Sequence, residues 1–137
     1  MVSKTNIFVD TSWFKALADP TDDFHIPANQ QYQQIKQHYW HLVTTNFVLD
    51  ETFTLIRAKV DLQSALDFRK TLLSMRDTLQ VFRVLAQDEK NSWKWFPNNW
   101  SGLSFTDCTS FAVMQRLGLT HVATFDQHFR RAGFKLL

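Results

Sequence analysis

A chain of 137 residues, 45% hydrophobic and 15% aromatic, has the material for one packed domain spanning residues 1–137 and excludes a disordered polymer. Its net charge of +2 fits an ordinary near-neutral protein, and equally an acidic pocket in a basic surround, which suits a polyanionic substrate. Cys108 stands alone, which excludes an intramolecular disulfide framework and a multi-cysteine zinc site and suits a reducing cytoplasm.

No apolar run reaches the roughly 18 residues of a membrane span, and the N-terminus carries no long apolar h-region. The expectation is a cytoplasmic protein with no membrane association. Three Gly and three Pro predict long regular elements and few elaborate loops.

Residues 5–10 are apolar, β-branched and aromatic and end on Asp10, predicting a short buried strand. Thr11 and Ser12 are candidate caps for a helix through Trp13, Phe14, Ala16 and Leu17. Asp19-Pro20-Thr21-Asp22-Asp23 predicts a turn. Pro27 opens a Gln-rich helix to about Trp40, with Tyr32, Ile35 and Tyr39 on one face. Residues 42–45 read as a strand, and Asn46 as the cap of a helix to about Val60.

Asp61 is the expected cap of a helix from Leu62 to about Met75. Residues 79–85 alternate as a strand does, and residues 87–100 suggest a charged, Trp-rich helix broken near Pro97. Residues 101–104 form a loop before a helix over 106–117, closed by Gly118. Residues 120–125 predict the last core strand, followed by a short helix over 127–132 and an edge strand over 134–137. Strands alternating with helices imply a three-layer α/β sandwich whose mainly parallel central sheet is flanked by helices.

Four acids stand out on this scheme. Asp10 and Asp126 end core strands, where functional groups of open α/β folds gather. Glu51 shares a helix face with Phe47, Val48 and Leu55, which favours it over the adjacent Asp50 as the inward acid. Asp107 follows Thr106 at a helix start. Taken singly, each acid is more simply a cap or a solvated side chain. Together they place carboxylates against apolar segments, where an uncompensated charge is costly and a divalent cation compensates.

At these residues the chain resembles the PIN-domain family, and within it the VapC-like toxin ribonucleases. The resemblance rests on Ile7-Phe8-Val9-Asp10-Thr11-Ser12, Thr45-Asn46-Phe47-Val48-Leu49-Asp50-Glu51, Leu103-Ser104-Phe105-Thr106-Asp107-Cys108 and Ala123-Thr124-Phe125-Asp126. It implies that Asp10, Glu51, Asp107 and Asp126 hold Mg²⁺ or Mn²⁺, that Thr106 stands before the third acid as a catalytic hydroxyl, and that Thr124 and Asp126 form the closing Thr-x-Asp pattern. It implies cleavage of an RNA substrate, an antitoxin partner and a homodimer.

Other residues admit simpler readings. Trp93, Trp95, Phe96 and Trp100 suit base stacking, but such a cluster is more often core or a partner interface. Arg130, Arg131 and Lys135 suit an RNA backbone, an acidic partner or plain solvation. His128 stands where it could assist the site, but the simpler expectation is an exposed helix residue; Cys108 is expected to be buried and inert. The alternative function is a catalytically silent PIN-like module that binds RNA or protein. A phosphoacceptor receiver ranks lower, because Val9 precedes Asp10 where that domain carries an acid, and Asp126 stands where it carries Lys.

Overall fold

A computed structural model describes residues 5–137. The chain runs β1 (Asn6–Val9), α1 (Thr11–Ala18), α2 (His25–Gln37), β2 (His41–Thr45), α3 (Asn46–Lys59), α4 (Leu62–Ser74) and β3 (Leu79–Phe82). It continues with α5 (Ala86–Ser92), α6 (Phe105–Leu117), β4 (His121–Ala123), α7 (His128–Arg131) and β5 (Lys135–Leu136).

The strands form one sheet in the order β3-β2-β1-β4-β5, and every pairing among the described residues is parallel. The sheet expected to be mainly parallel is therefore wholly so. The chain moves outward from β1 through β2 to β3, then returns to the other side of β1 as β4. This reversal opens a crevice beyond the ends of β1 and β4, the position where such sheets bind ligands. Val9 is in register with Ala123, so Asp10 and Thr124 leave the sheet side by side.

Two aromatic clusters cover the sheet. Phe14 and Phe53 both pack edge-on against Phe68, at 5.4 and 5.2 Å, joining α1, α3 and α4. Phe129 meets Phe8 at 6.4 Å and Phe111 at 4.9 Å, joining β1, α6 and α7. These aromatics bring large apolar areas out of water on both sides of the strands, giving the three layers. No helix is long and apolar enough to cross a membrane among the described residues.

Several local expectations are corrected. Asp10, and neither Thr11 nor Ser12, caps α1, accepting from Ser12 N. Thr45 caps α3 through Val48 N, which frees the Asn46 side chain to accept from Val84 N at 2.8 Å and tie down the segment after β3. Pro27 lies inside the first turn of α2 and not at its start; there a missing N–H costs no helical bond. The same helix stops at Gln37 because Tyr39 turns left-handed (φ 54°), while Trp40 N donates to Ile35 O and Tyr39 N to Lys36 O. Tyr39 consequently points to solvent and leaves the expected apolar face. The Trp-rich helix is also shorter: α5 ends at Ser92, ahead of Pro97. Trp93 and Phe96 pack on Phe105 while Trp95 turns to Phe111, and the intervening chain follows as turns.

Candidate metal centre

The four expected acids converge. Asp10, Glu51, Asp107 and Asp126 line one cleft of about 200 Å³ together with Thr11, Ser12, Leu55, Gly102 and Ser104. Asp50 is exposed and absent from this cleft, as the helix-face reading of α3 requires.

Asp10 is 2% exposed, yet its two oxygens differ sharply. Oδ2 accepts from Thr124 Oγ1 at 2.9 Å and Ser12 Oγ at 3.0 Å. Those hydroxyls accept in turn from backbone amides: Asp126 N donates to Thr124 Oγ1 and Phe125 N to Ser12 Oγ, both at 2.9 Å. The exit of β4 is thus fastened to the exit of β1 through two hydroxyls and one carboxylate oxygen. Oδ1 is buried with no hydrogen-bond partner. Burial pushes the Asp10 pKa up to about 6, with the charge of Asp126 adding to the effect and the Thr124 and Ser12 bonds opposing it.

Asp107 forms a capping box at the start of α6. Its N–H donates to Ser104 Oγ at 3.0 Å, and its Oδ2 accepts from Ser104 N at 3.1 Å. The reciprocal bonds fix the carboxylate over the cleft. Burial, followed by the charges of Asp10, Asp126 and Glu51, raises its pKa to about 7. Cys108 behind it is buried, and burial lifts its thiol to about 11, consistent with an inert core residue.

His128 corrects an expectation. It is 9% exposed, wedged between acids rather than projecting into solvent. Its Nδ1 lies 3.0 Å from Asp126 Oδ1 and 3.6 Å from Asp107 Oδ2, and its Nε2 is 2.8 Å from the Ser101 carbonyl. Asp107, Asp126 and His128 bring one potential ligand atom each within 4.8 Å of one another. Only the apolar Phe129 that follows His128 hinted at an inward-facing short helix.

Two expected hydroxyls take different positions. Thr106 lines a neighbouring depression with Asp50, Glu51 and Thr54. Thr11 faces the cleft but donates to Val48 O at 3.4 Å and accepts from Thr52 Oγ1 at 3.3 Å. Ser104 and Ser12 are the hydroxyls that the sequence did not rank as site residues. The capping-box spacing of Ser104 and Asp107 was the available cue for the first.

The donor set fits a hard divalent cation. Carboxylate oxygens are the preferred ligands of Mg²⁺ and Mn²⁺, and an orphaned buried oxygen beside raised carboxylates lacks a positive neighbour. The model of the PIN domain family matches residues 7–135.

This chain belongs to the PIN domain family. It is 34% identical over 129 residues to the 23S rRNA-specific endonuclease VapC20 of Mycobacterium tuberculosis, covering 93% of this chain and 95% of that protein. The crystal structure of that organism's VapC20, described as a sarcin-ricin loop cleaving toxin, superposes with a TM-score of 0.82 at 33% identity, covering 93% of this chain and 95% of that one. FitAcB from Neisseria gonorrhoeae shares the fold at a TM-score of 0.62 and 13% identity, with 96% of each chain covered. The parallel sheet flanked by helices is the fold that the sequence resemblance implied.

Proposed function

We propose that this protein is a divalent-metal-dependent endoribonuclease, acting in the cytoplasm as the toxin of a toxin–antitoxin pair. The observation that carries the reading is Asp10 Oδ1: a buried carboxylate oxygen without a partner, in a cleft shared with three more acids. Such an arrangement is costly unless a cation occupies it during function.

Asp10 and Asp107 are the principal ligands, because they are the buried members and the ones whose ionisation the cleft opposes. A divalent ion held there supplies Lewis acidity toward phosphate and water. Glu51, at the cleft edge, positions the attacking water, and Asp126 completes the ligand set beside Asp107. Thr106, at the adjoining depression, orients RNA rather than the ion. Ser12 and Thr124 hold Asp10 by one oxygen and thereby present the other to the cleft. The exposed Arg130, Arg131 and Lys135 follow Asp126 and attract the phosphate backbone from that side.

The similarity to VapC20 supports a structured ribosomal RNA loop as substrate; the antitoxin that holds the enzyme in check and the homodimer follow from the resemblance to the toxin ribonucleases alone. The test is incubation of the purified protein with labelled ribosomal and total RNA in Mg²⁺, Mn²⁺ or EDTA, beside Asp10→Asn. Discrete cuts that need the metal and vanish in the variant are expected. RNA binding without cutting under both metals would overturn the nuclease and leave a silent RNA-binding module.

A further inference from the structure

The Trp-rich segment between α5 and α6 has no part in the acid cleft, yet its end touches the site. Trp100 stacks over the His128 ring, with centroids 6.2 Å apart and planes 13° from parallel. The carbonyl of the next residue, Ser101, lies 2.8 Å from His128 Nε2. A carbonyl only accepts, so Nε2 carries the proton and donates. In the neutral ring Nδ1 then presents its lone pair, and that lone pair faces Asp126 Oδ1 at 3.0 Å and Asp107 Oδ2 at 3.6 Å.

Asp126 Oδ1 also accepts from His128 N at 2.9 Å and Asp107 Oδ2 from Ser104 N at 3.1 Å, but neither amide lies between the two carboxylates and Nδ1, and that space takes either a proton on Nδ1 or a bound cation. Metal-bound histidines commonly donate their second ring N–H to a backbone carbonyl, which fixes tautomer and orientation; the Ser101 carbonyl does this here. Two ligands at neighbouring corners of an octahedral ion stand about 3 Å apart, given metal–ligand bonds near 2.1 Å. The unpartnered Asp10 Oδ1 in the adjoining cleft is a separate indication that a cation belongs to this end of the sheet.

We propose that His128 Nδ1 is a nitrogen ligand of the metal centre beside Asp107 and Asp126, held in place by Trp100 and the Ser101 carbonyl, and that it biases the centre toward Mn²⁺ over Mg²⁺. This rests on the nuclease reading above and adds to its oxygen ligands. Imidazole suits transition metals, whereas Mg²⁺ favours oxygen, so the nitrogen gives the protein a means of choosing between two ions of similar charge and coordination. The Trp-rich segment thereby acquires a role as the outer support of a ligand. Trp100 is a positioning residue.

Pulsed electron paramagnetic resonance of the full chain loaded with Mn²⁺ tests the assignment directly. Wild type is expected to show coupling to one imidazole nitrogen, which changes with the isotope when histidine is labelled with ¹⁵N. His128→Gln is expected to lose the coupling and to bind Mn²⁺ roughly 10-fold or more weakly, the scale for disturbing a ligand's surroundings. Its Mg²⁺ affinity should change far less. Wild type that binds Mn²⁺ and cuts RNA without nitrogen coupling would overturn this proposal and leave the nuclease intact; in that case a proton joins Nδ1 to the carboxylates. Wild type that neither binds Mn²⁺ nor cuts RNA would overturn both. The isotope comparison on wild type keeps the test decisive if His128→Gln does not fold.

Discussion

Asp88 and Asp10 are both shut off from water, and the protein treats them in opposite ways. Asp88, at the start of α5, receives the Arg116 guanidinium from α6 on both oxygens at 2.9 Å, and Leu85 N donates to it as well. Burial is the largest single influence and works against its charge, but the Arg116 hydrogen bonds and charge together with the Leu85 amide outweigh it and hold the carboxyl below the usual carboxylate range. Asp10 has hydroxyl donors on one oxygen, nothing on the other and more acids as neighbours. Where two helices only need joining, the chain supplies a cation of its own. At the end of the sheet it withholds one, and this is what distinguishes a site from a brace when both are buried carboxylates.

The largest effect should come from taking the cation out of the brace. Arg116→Met leaves Asp88 buried and unpaired, and should cost about 3 kcal/mol, the low end for breaking a buried pair because Arg116 keeps 31% of its side chain exposed. Urea melts would measure it, with RNA cleavage per folded molecule unchanged. A loss below about 1 kcal/mol, the value of a surface pair, would show that Asp88 is effectively solvated.

The opposite sign is expected at the site. Asp10→Asn keeps an oxygen for Thr124 and Ser12 and removes a charge that burial opposes. In EDTA at neutral pH it should stabilise the protein by on the order of 2 kcal/mol, while cleavage falls by at least about 100-fold. A destabilised variant would mean that Asp10 is a structural anion after all.

The pH dependence separates the two regions as well. Asp10 and Asp107 bind protons more tightly folded than unfolded, with values near 6 and 7 against an ordinary 3.8. Between about pH 4 and 7 the folded state therefore holds more protons, and stability in EDTA falls as pH rises through that window. Asp88 has the reverse shift: its stabilisation is present above the unfolded pKa and is lost as pH falls through the lower folded value. Mn²⁺ competes with the site protons, so the rise in Tm that it gives should grow from pH 5 to 8. A rise in Tm that is flat over that range would dissociate the ion from these two carboxylates.

How far the sequence reaches depends on what each residue answers to. The strand end at Asp10, the inward Glu51 and the helix start at Asp107 follow from local periodicity; β4 stops at Ala123, so Asp126 lies three residues past its strand rather than ending it, yet the structure gathers all four acids. His128 was ranked as exposed ahead of a site role because its partners Ser101 and Asp107 lie more than twenty residues away, and only Asp126 among its contacts is near in sequence. The Asp88–Arg116 brace escaped for the same reason: a charged helix reads as solvated unless the second helix is known. The cap of α1 stayed open among Asp10, Thr11 and Ser12 because all three are competent caps; Asp10 takes the role, with the bond from Thr124 holding its carboxylate in place.

The smallest effect sharpens the comparison most finely, because it sets a cap in the site against a cap in the scaffold. Ser104 Oγ accepts from Asp107 N at the start of α6, and Asp61 Oδ1 accepts from Ser64 N at the start of α4. Ser104→Ala should cost about 1 kcal/mol, as loss of an N-cap does. Asp61→Ala should also lower Tm. The Asp61 cap holds only its own helix. Ser104 also takes part in the box that orients the Asp107 carboxylate over the cleft, so its loss should weaken Mn²⁺ binding and slow cleavage several-fold at limiting metal, with activity recovering as the ion is raised. Asp61→Ala should show no such metal dependence. If both variants cleave alike at every metal concentration, the capping box is a helix terminus and nothing more, and the position of Asp107 is held by the α6 backbone alone.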